Sequence, residues 1–326
     1  MVLMANVRQP ISCSSRKICL SSMRVFFFFI DGLGLGEDDP ASNPLAVAPM
    51  PCLRRLLEGR RLLHEATPFH GSMISLLALD ACLGVPGLPQ SATGQAALLT
   101  GLNIPSRTGQ HYGPKPNRVI APYLQDTLFS RFVHDGKRVA LLNAYPEGYF
   151  RRIHSGKWLY SAIPQAVVNA GLSLLTTEDF YAGRAVSADL TGRGWRERLG
   201  YADAPLLSPR AVGKRLASLA SSYDFAMFEY WPSDYAGHAQ DWQTALDLLQ
   251  TLDSVIDGLV EKWDNNGLIV MTSDHGNLED LSTRRHTSNP VPCLLIGPQE
   301  ARRAFAANLL DLTDVAREIE RLVLQG

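Results

Sequence analysis

The chain has 326 residues, of which 46% are hydrophobic and 19% charged, with a formal net charge of -1. That length can bury one large α/β domain, or a core carrying a smaller insert, and the near-balanced charge leaves no bulk footprint for nucleic acid or a membrane surface. Cys13, Cys19, Cys52, Cys82 and Cys293 are odd in number and contain no C-x-x-C, so they read as reduced thiols of a cytoplasmic protein, neither a disulfide framework nor a thiolate zinc site.

Residues 1–22 are Ser-rich and basic without the apolar run of a secretory signal. They are expected to be a disordered extension, with Met23 as an alternative start. Next comes VFFFFI, Val25 to Ile30, far short of the roughly 20 apolar residues of a membrane span. It reads as a buried strand ending at Asp31.

Further along, LPQSATGQAALLTG places Ser91 before a turn permitted by Gly94 and at the start of a helix. A helix start offers free N–H groups and the positive end of the dipole, which suit an attacking oxygen and a phosphate. The same position suits an N-cap, and on this stretch alone the cap is the better reading.

VALLN continues the series of strands. Residues 146–205 differ in texture, with Gly-rich patches and many cations, and are expected to form an inserted lid between core segments 23–145 and 206–326. DFAMFEYW is the next strand, followed at short distance by Asp234 and His238 in DYAGH. Ala245, Leu248, Leu249, Leu252, Val255, Ile256, Leu259 and Val260 then recur at spacings of three and four, the buried stripe of a helix. LIVMTSD returns as a strand ending at Asp274 and His275; His286 follows eleven residues later, and Asn-Pro-Val-Pro makes a rigid exit into CLLIG. Apolar runs alternating with helix-period segments predict an α/β fold with a mostly parallel sheet and helices on both faces. In such sheets ligand sites form beyond the carboxyl ends of the strands, which would gather Asp31, Asp234, Asp274 and His275 on one edge.

Carboxylate oxygens and imidazole nitrogens together suit zinc or manganese, and two clusters can hold two cations about 4 Å apart. Each piece alone is common: D-x-x-x-H arises by chance, and a DHG turn is more often a cap or an Asx-turn. Their conjunction at the ends of separate strands is what points to a metal centre.

FIDGLGLG, SATGQ, PSDYAGH, SDHGN and HTSNPVP, in that order, resemble the motifs of the alkaline phosphatase superfamily, closest to its branch of cofactor-independent phosphoglycerate mutase and phosphopentomutase. The resemblance implies an alkaline-phosphatase-like three-layer αβα sandwich with a small inserted lid. It also implies two divalent ions, Mn²⁺ or Zn²⁺: one on Asp234, His238 and His286, the other on Asp31, Asp274 and His275 and touching Ser91. The implied activity is phosphoryl transfer through a phosphoserine on Ser91, as a phosphomonoester hydrolase or small phosphomutase acting on a small phosphorylated metabolite. A phosphodiesterase or other metal-dependent hydrolase is the alternative, and a non-catalytic binding protein on this fold is a third reading. Two departures stand out: 146–205 is short beside the cap of the mutases, and Ser91 and Gln95 occupy the places of the cysteine and arginine of the sulfatase motif. Arg151, Arg152 and Lys157 of the lid are candidates to clamp a substrate phosphate or carboxylate, with a plain surface role equally open. Asn277 and Thr287 are candidates to orient ligand side chains, whereas Glu279, Asp280, Arg284 and Arg285 read as spacer and surface.

Overall fold

The computed structural model describes residues 23–264 and 266–324; the extension expected at 1–22 lies outside them. Nine strands form: β1 (Arg24–Ile30), β2 (Phe69–His70), β3 (Ile74–Leu79), β4 (Val139–Leu141), β5 (Asn143–Ala144), β6 (Val186–Ser187), β7 (Phe225–Tyr230), β8 (Gly267–Thr272) and β9 (Val291–Ile296). Seven of them make the central sheet in the order β2-β3-β9-β8-β1-β7-β4.

β1 lies between β7 and β8 and is parallel to both, with Val25 opposite Phe225 on one side and Leu268 on the other. A strand in that position has both faces covered, which explains an uninterrupted apolar run in place of alternation. Val25, Phe27 and Phe29 enter one core cluster while Phe26, Phe28 and Ile30 enter the other, so the period of two assigns successive phenylalanines to opposite layers.

The strand CLLIG departs from the parallel pattern. β9 runs antiparallel to β8 and to β3. A parallel neighbour needs a crossover, usually through a helix, and residues 273–290 contain none, so the chain returns in the opposite direction.

The periodic stripe after His238 is the helix Trp242–Lys262, which buries Ala245, Leu249, Leu252, Val255, Ile256 and Leu259. It packs on the helix Pro209–Ala220 closely enough that a Cβ on Gly213 would strike the carbonyl of Val255, and one on Gly258 that of Arg210. Asp253, on the same buried stripe, accepts from the backbone N–H of Cys52 (2.9 Å) and Leu53 (2.7 Å), so a side chain some 200 residues away caps the short helix Pro51–Leu56.

Within 146–205 two kinds of structure meet. β6 pairs with β5, which lies just before the segment, in a separate two-stranded sheet over a small cluster of Ala144, Phe180, Ala185, Trp195 and Ala204. The helix Ala162–Asn169, by contrast, buries Ala162, Ile163, Ala166 and Val167 in the main core beside the helix Ser91–Thr100. Among the described residues no helix is long and apolar enough to cross a membrane.

Candidate metal centre

Three adjacent parallel strands deliver the acidic residues. Asp31 directly follows β1, Asp274 and His275 follow β8 after one residue, and β7 runs into the helix Pro232–Ala239, which carries Asp234 in its first turn and His238 in its last. A spacing of four places both on one helical face, with His238 Nε2 3.4 Å from Asp234 Oδ2.

His286 arrives from the long loop and completes this side, its Nε2 3.7 Å from Asp234 Oδ1 and 3.2 Å from His238 Nε2. Both rings are oriented from behind. His238 Nδ1 donates to the carbonyl of Arg284 and His286 Nδ1 to that of Pro89, each at 2.7 Å. A neutral ring that donates from Nδ1 carries its lone pair on Nε2, so two lone pairs and a carboxylate converge on one point. Lone pairs repel unless a cation lies between them, and backbone carbonyls behind the rings are the usual support of a metal-ligating imidazole.

On the other side His275 Nε2 lies 3.3 Å from Asp31 Oδ1 and 3.6 Å from Asp274 Oδ2. Asp31 Oδ1 is buried and accepts no hydrogen bond among the described residues. The ligand atoms of Asp234, His238 and His286 lie within 4.8 Å of one another, as do those of Asp31, Asp234 and His275. Asp234 therefore belongs to both groups, where the motif resemblance gives it to one. Asp274 is fully buried; its Oδ2 faces His275, and its Oδ1 accepts from the N–H of Gly32 at 3.4 Å.

Electrostatics agree with a cation site. Burial, then the charge of Asp274, push Asp31 well above the usual carboxylate range, and burial raises Asp274 as well. Burial alone would lower His275, but Asp274, Asp31 and Asp234 outweigh it and hold the ring up to about 10. Burial and the neighbouring His275 bring His286 down to about 4, which keeps it neutral. Such crowded carboxylates hold protons for want of other positive charge, and a divalent ion would displace them. The donor set of carboxylates and imidazoles fits such an ion.

Ser91 is the first residue of the helix Ser91–Thr100, and the N-cap is Gln90, which makes no side-chain cap. The cap reading therefore gives way: Ser91 Oγ sits 3.0 Å from His275 Nε2. Gly94 lies inside the helix and not in a turn. Its role is close approach, since a Cβ there would lie 2.8 Å from the carbonyl oxygen of Asp274 and 2.9 Å from its Cβ.

Glu279 is not spacer. It is 1% exposed and accepts from the N–H of Gly34 and of Asn277 (2.8 Å each), from Asn289 Nδ2 (3.1 Å) and from the Thr287 hydroxyl. The loop after Asp274 is thus wound around a buried carboxylate that also holds the loop following β1. Asn277 Nδ2 donates to Asp234 Oδ1 at 2.7 Å and so orients that carboxylate directly; Thr287 acts one step further back, through Glu279.

A cavity of about 670 Å³ opens over Ser91, Asp234, His238 and His286. The cations on its wall are Arg284 and Arg285, read from sequence as surface, and Arg284 Nε is held by Gln240 Oε1 at 3.0 Å. The lid cations do not line it. Arg151 pairs with Glu147 at 2.7 Å on its own exposed helix, Arg152 lies over the Trp158 ring at 4.4 Å, and Lys157 is exposed. The helix Glu147–His154, which carries Arg151 and Arg152, buries no residue and supplies the partner of Arg151.

Comparison with known proteins follows the same division of the chain. Residues 200–324, which hold Asp234, His238, Asp274, His275 and His286, match the Metalloenzyme superfamily. Over 122 residues the chain is 31% identical to a 2,3-bisphosphoglycerate-independent phosphoglycerate mutase of Desulforudis audaxviator, a match covering 35% of this chain and 24% of that protein. The fold extends further. Alkaline phosphatase of Thermus thermophilus superposes with a TM-score of 0.54 at 13% identity, covering 98% of this chain and 96% of that one. The chain has the fold of the alkaline phosphatases, and its residues 200–324 carry the Metalloenzyme superfamily match. A second superfamily structure, alkaline phosphatase of the Antarctic bacterium TAB5, gives a TM-score of 0.51 at 12% identity over 93% of this chain and 98% of its own. At those identities the likeness is one of fold. The matched stretch spans about a quarter of the length of the curated mutases.

Proposed function

We propose that this chain is a phosphoryl-transfer enzyme of the alkaline phosphatase superfamily that holds two divalent ions, Mn²⁺ or Zn²⁺, and acts on a phosphomonoester of a small metabolite. The observation that carries the reading is the convergence of the His238 and His286 ring nitrogens on Asp234, with Ser91 Oγ beside His275. Asp234, His238 and His286 would hold one ion, and Asp31, Asp274 and His275 the other. Bound there, the ions supply positive charge against the phosphoryl oxygens and against the oxygen of Ser91.

The chain's own residues do the rest. Ser91 Oγ attacks phosphorus in line; the bond to the ester oxygen breaks, the alcohol leaves, and a phosphoserine remains. The start of the helix Ser91–Thr100 directs its positive dipole end at the phosphoryl group. Water then releases inorganic phosphate, or a second hydroxyl of the substrate takes the phosphoryl group, which separates phosphatase from mutase. Arg284 and Arg285 on the cavity wall favour an anionic substrate. Free Cys52, Cys82 and Cys293 support a reducing, cytoplasmic setting.

The test is phosphate release from a panel of phosphomonoesters and diesters after loading with Mn²⁺ or Zn²⁺. Monoesters should be cleaved, and Ser91→Ala should bind metal but lose the phosphoenzyme and about four orders of magnitude in turnover. Turnover of diesters alone, or unchanged turnover in Ser91→Ala, overturns the reading.

A further inference from the structure

Gln95 stands one turn beyond Ser91 on the same helix, so its side chain lies over the same face. It is 4% exposed. Nε2 donates to Asp274 Oδ2 at 3.1 Å and to Asp31 Oδ2 at 3.3 Å, and thereby spans the two carboxylates. The other end of the amide is unused: Oε1 is buried and has no hydrogen-bond partner among the described residues.

A buried amide that satisfies its donor and strands its acceptor is poorly matched to a purely structural role. Asp31 Oδ1 is stranded in the same pocket. Two partnerless oxygens beside a buried imidazole are what a cation and its water shell would satisfy. We infer that Gln95 is a positioning residue of the Asp31–Asp274–His275 pocket, its NH₂ group setting the separation of the two carboxylates and its oxygen facing the ion side. Leucine would fill the volume and do neither. The inference rests on the metal-centre reading of the previous section and adds a residue that the motif resemblance leaves without a role.

The experiment is titration with Co²⁺, followed by calorimetry and by visible absorption, which reports coordination geometry without any turnover. His238→Ala removes a ligand of the ion assigned to Asp234, His238 and His286, here the outer ion, and isolates the pocket in question. In that background Gln95→Leu should weaken cobalt binding 10–100-fold and shift the absorption band, as loss of a residue supporting metal ligands does. In the otherwise native chain it should leave the outer ion within about twofold of its affinity, since Gln95 donates to Asp31 and Asp274 and to none of Asp234, His238 and His286. Gln95→Glu restores an oxygen but discards the donor. It should recover cobalt binding with a steeper pH dependence, because a further carboxylate must lose its proton. Native affinity and spectrum in Gln95→Leu overturn the inference, as does equal weakening of both ions with a lowered melting temperature of the cation-free protein, which marks a packing role. A native chain that binds no cobalt sinks the metal-centre reading itself, whereas absent phosphate release with normal cobalt binding sinks only the proposed reaction.

Discussion

The loop 273–290 and the helix Glu147–His154 are both crowded with charge in the sequence, and the fold treats them in opposite ways. In the loop, Asp274, His275 and Glu279 are almost fully buried against the ends of β1 and β8, each tied to groups distant in sequence. On the helix, Arg151 finds Glu147 four residues away, Arg152 covers Trp158, and nothing is buried. Charge that can be neutralised locally stays at the surface, where such pairs contribute little. Charge forced under a sheet edge must be satisfied by hydrogen bonds, protons or cations, and there it becomes chemistry.

The largest test of this contrast is Glu279→Ala. Removing a buried carboxylate that accepts four hydrogen bonds strands four donors, and should cost about 3–5 kcal/mol in denaturant unfolding of the metal-free protein. Arg151→Ala should change the same measurement by less than about 0.5 kcal/mol. Equal effects would erase the distinction between the two regions.

Next in size is Glu229, near the end of β7. Tyr145 donates to it at 2.9 Å, and burial raises its carboxyl from the usual 4.5 to about 7. The raised value means that the folded protein favours the neutral acid. Its contribution is fully present below pH 4.5 and is lost as pH rises through about 7, a loss of about 3 kcal/mol. Glu229→Gln should therefore gain stability relative to the native chain between pH 5 and 8, read as a growing difference in melting temperature. A constant difference across that window would show that the carboxyl does not titrate there.

The smallest effect sharpens the comparison at the cavity. Arg285→Ala should raise KM for a cleaved phosphomonoester about 5–10-fold, near 1 kcal/mol, with kcat little changed, whereas Lys157→Ala should leave both alone. The reverse pattern would return substrate binding to the lid.

Much of the site was legible in the sequence because its signals are local. Asp31, Asp234 and Asp274 each stand just beyond an apolar run, and the spacing of Asp234 and His238 is that of one helical face. Ser91 is ambiguous in the sequence because a cap and a nucleophile share the same position; what argues against the cap is that Gln90 occupies the N-cap position and that His275, 184 residues on, lies beside the hydroxyl. Glu279 was misread because its acceptor role depends on the backbone of Gly34 and the side chain of Asn289, which no spacing rule connects to it. Arg284 and Arg285 are exposed, as their sequence context implies, and it is the folded loop that also sets them at the cavity wall.

By itself the sequence determined the α/β class, the strands that carry the acids, and the residue types able to hold a cation, because apolar periodicity and ligand chemistry are properties of short stretches. The tertiary structure decided that β9 runs back antiparallel, that Asp234 stands between both groups of ligands, and that the carbonyls of Pro89 and Arg284 turn two imidazole nitrogens toward one point. Those outcomes depend on backbone groups brought together across the fold, and a carbonyl carries no trace of its partner in the identity of its residue.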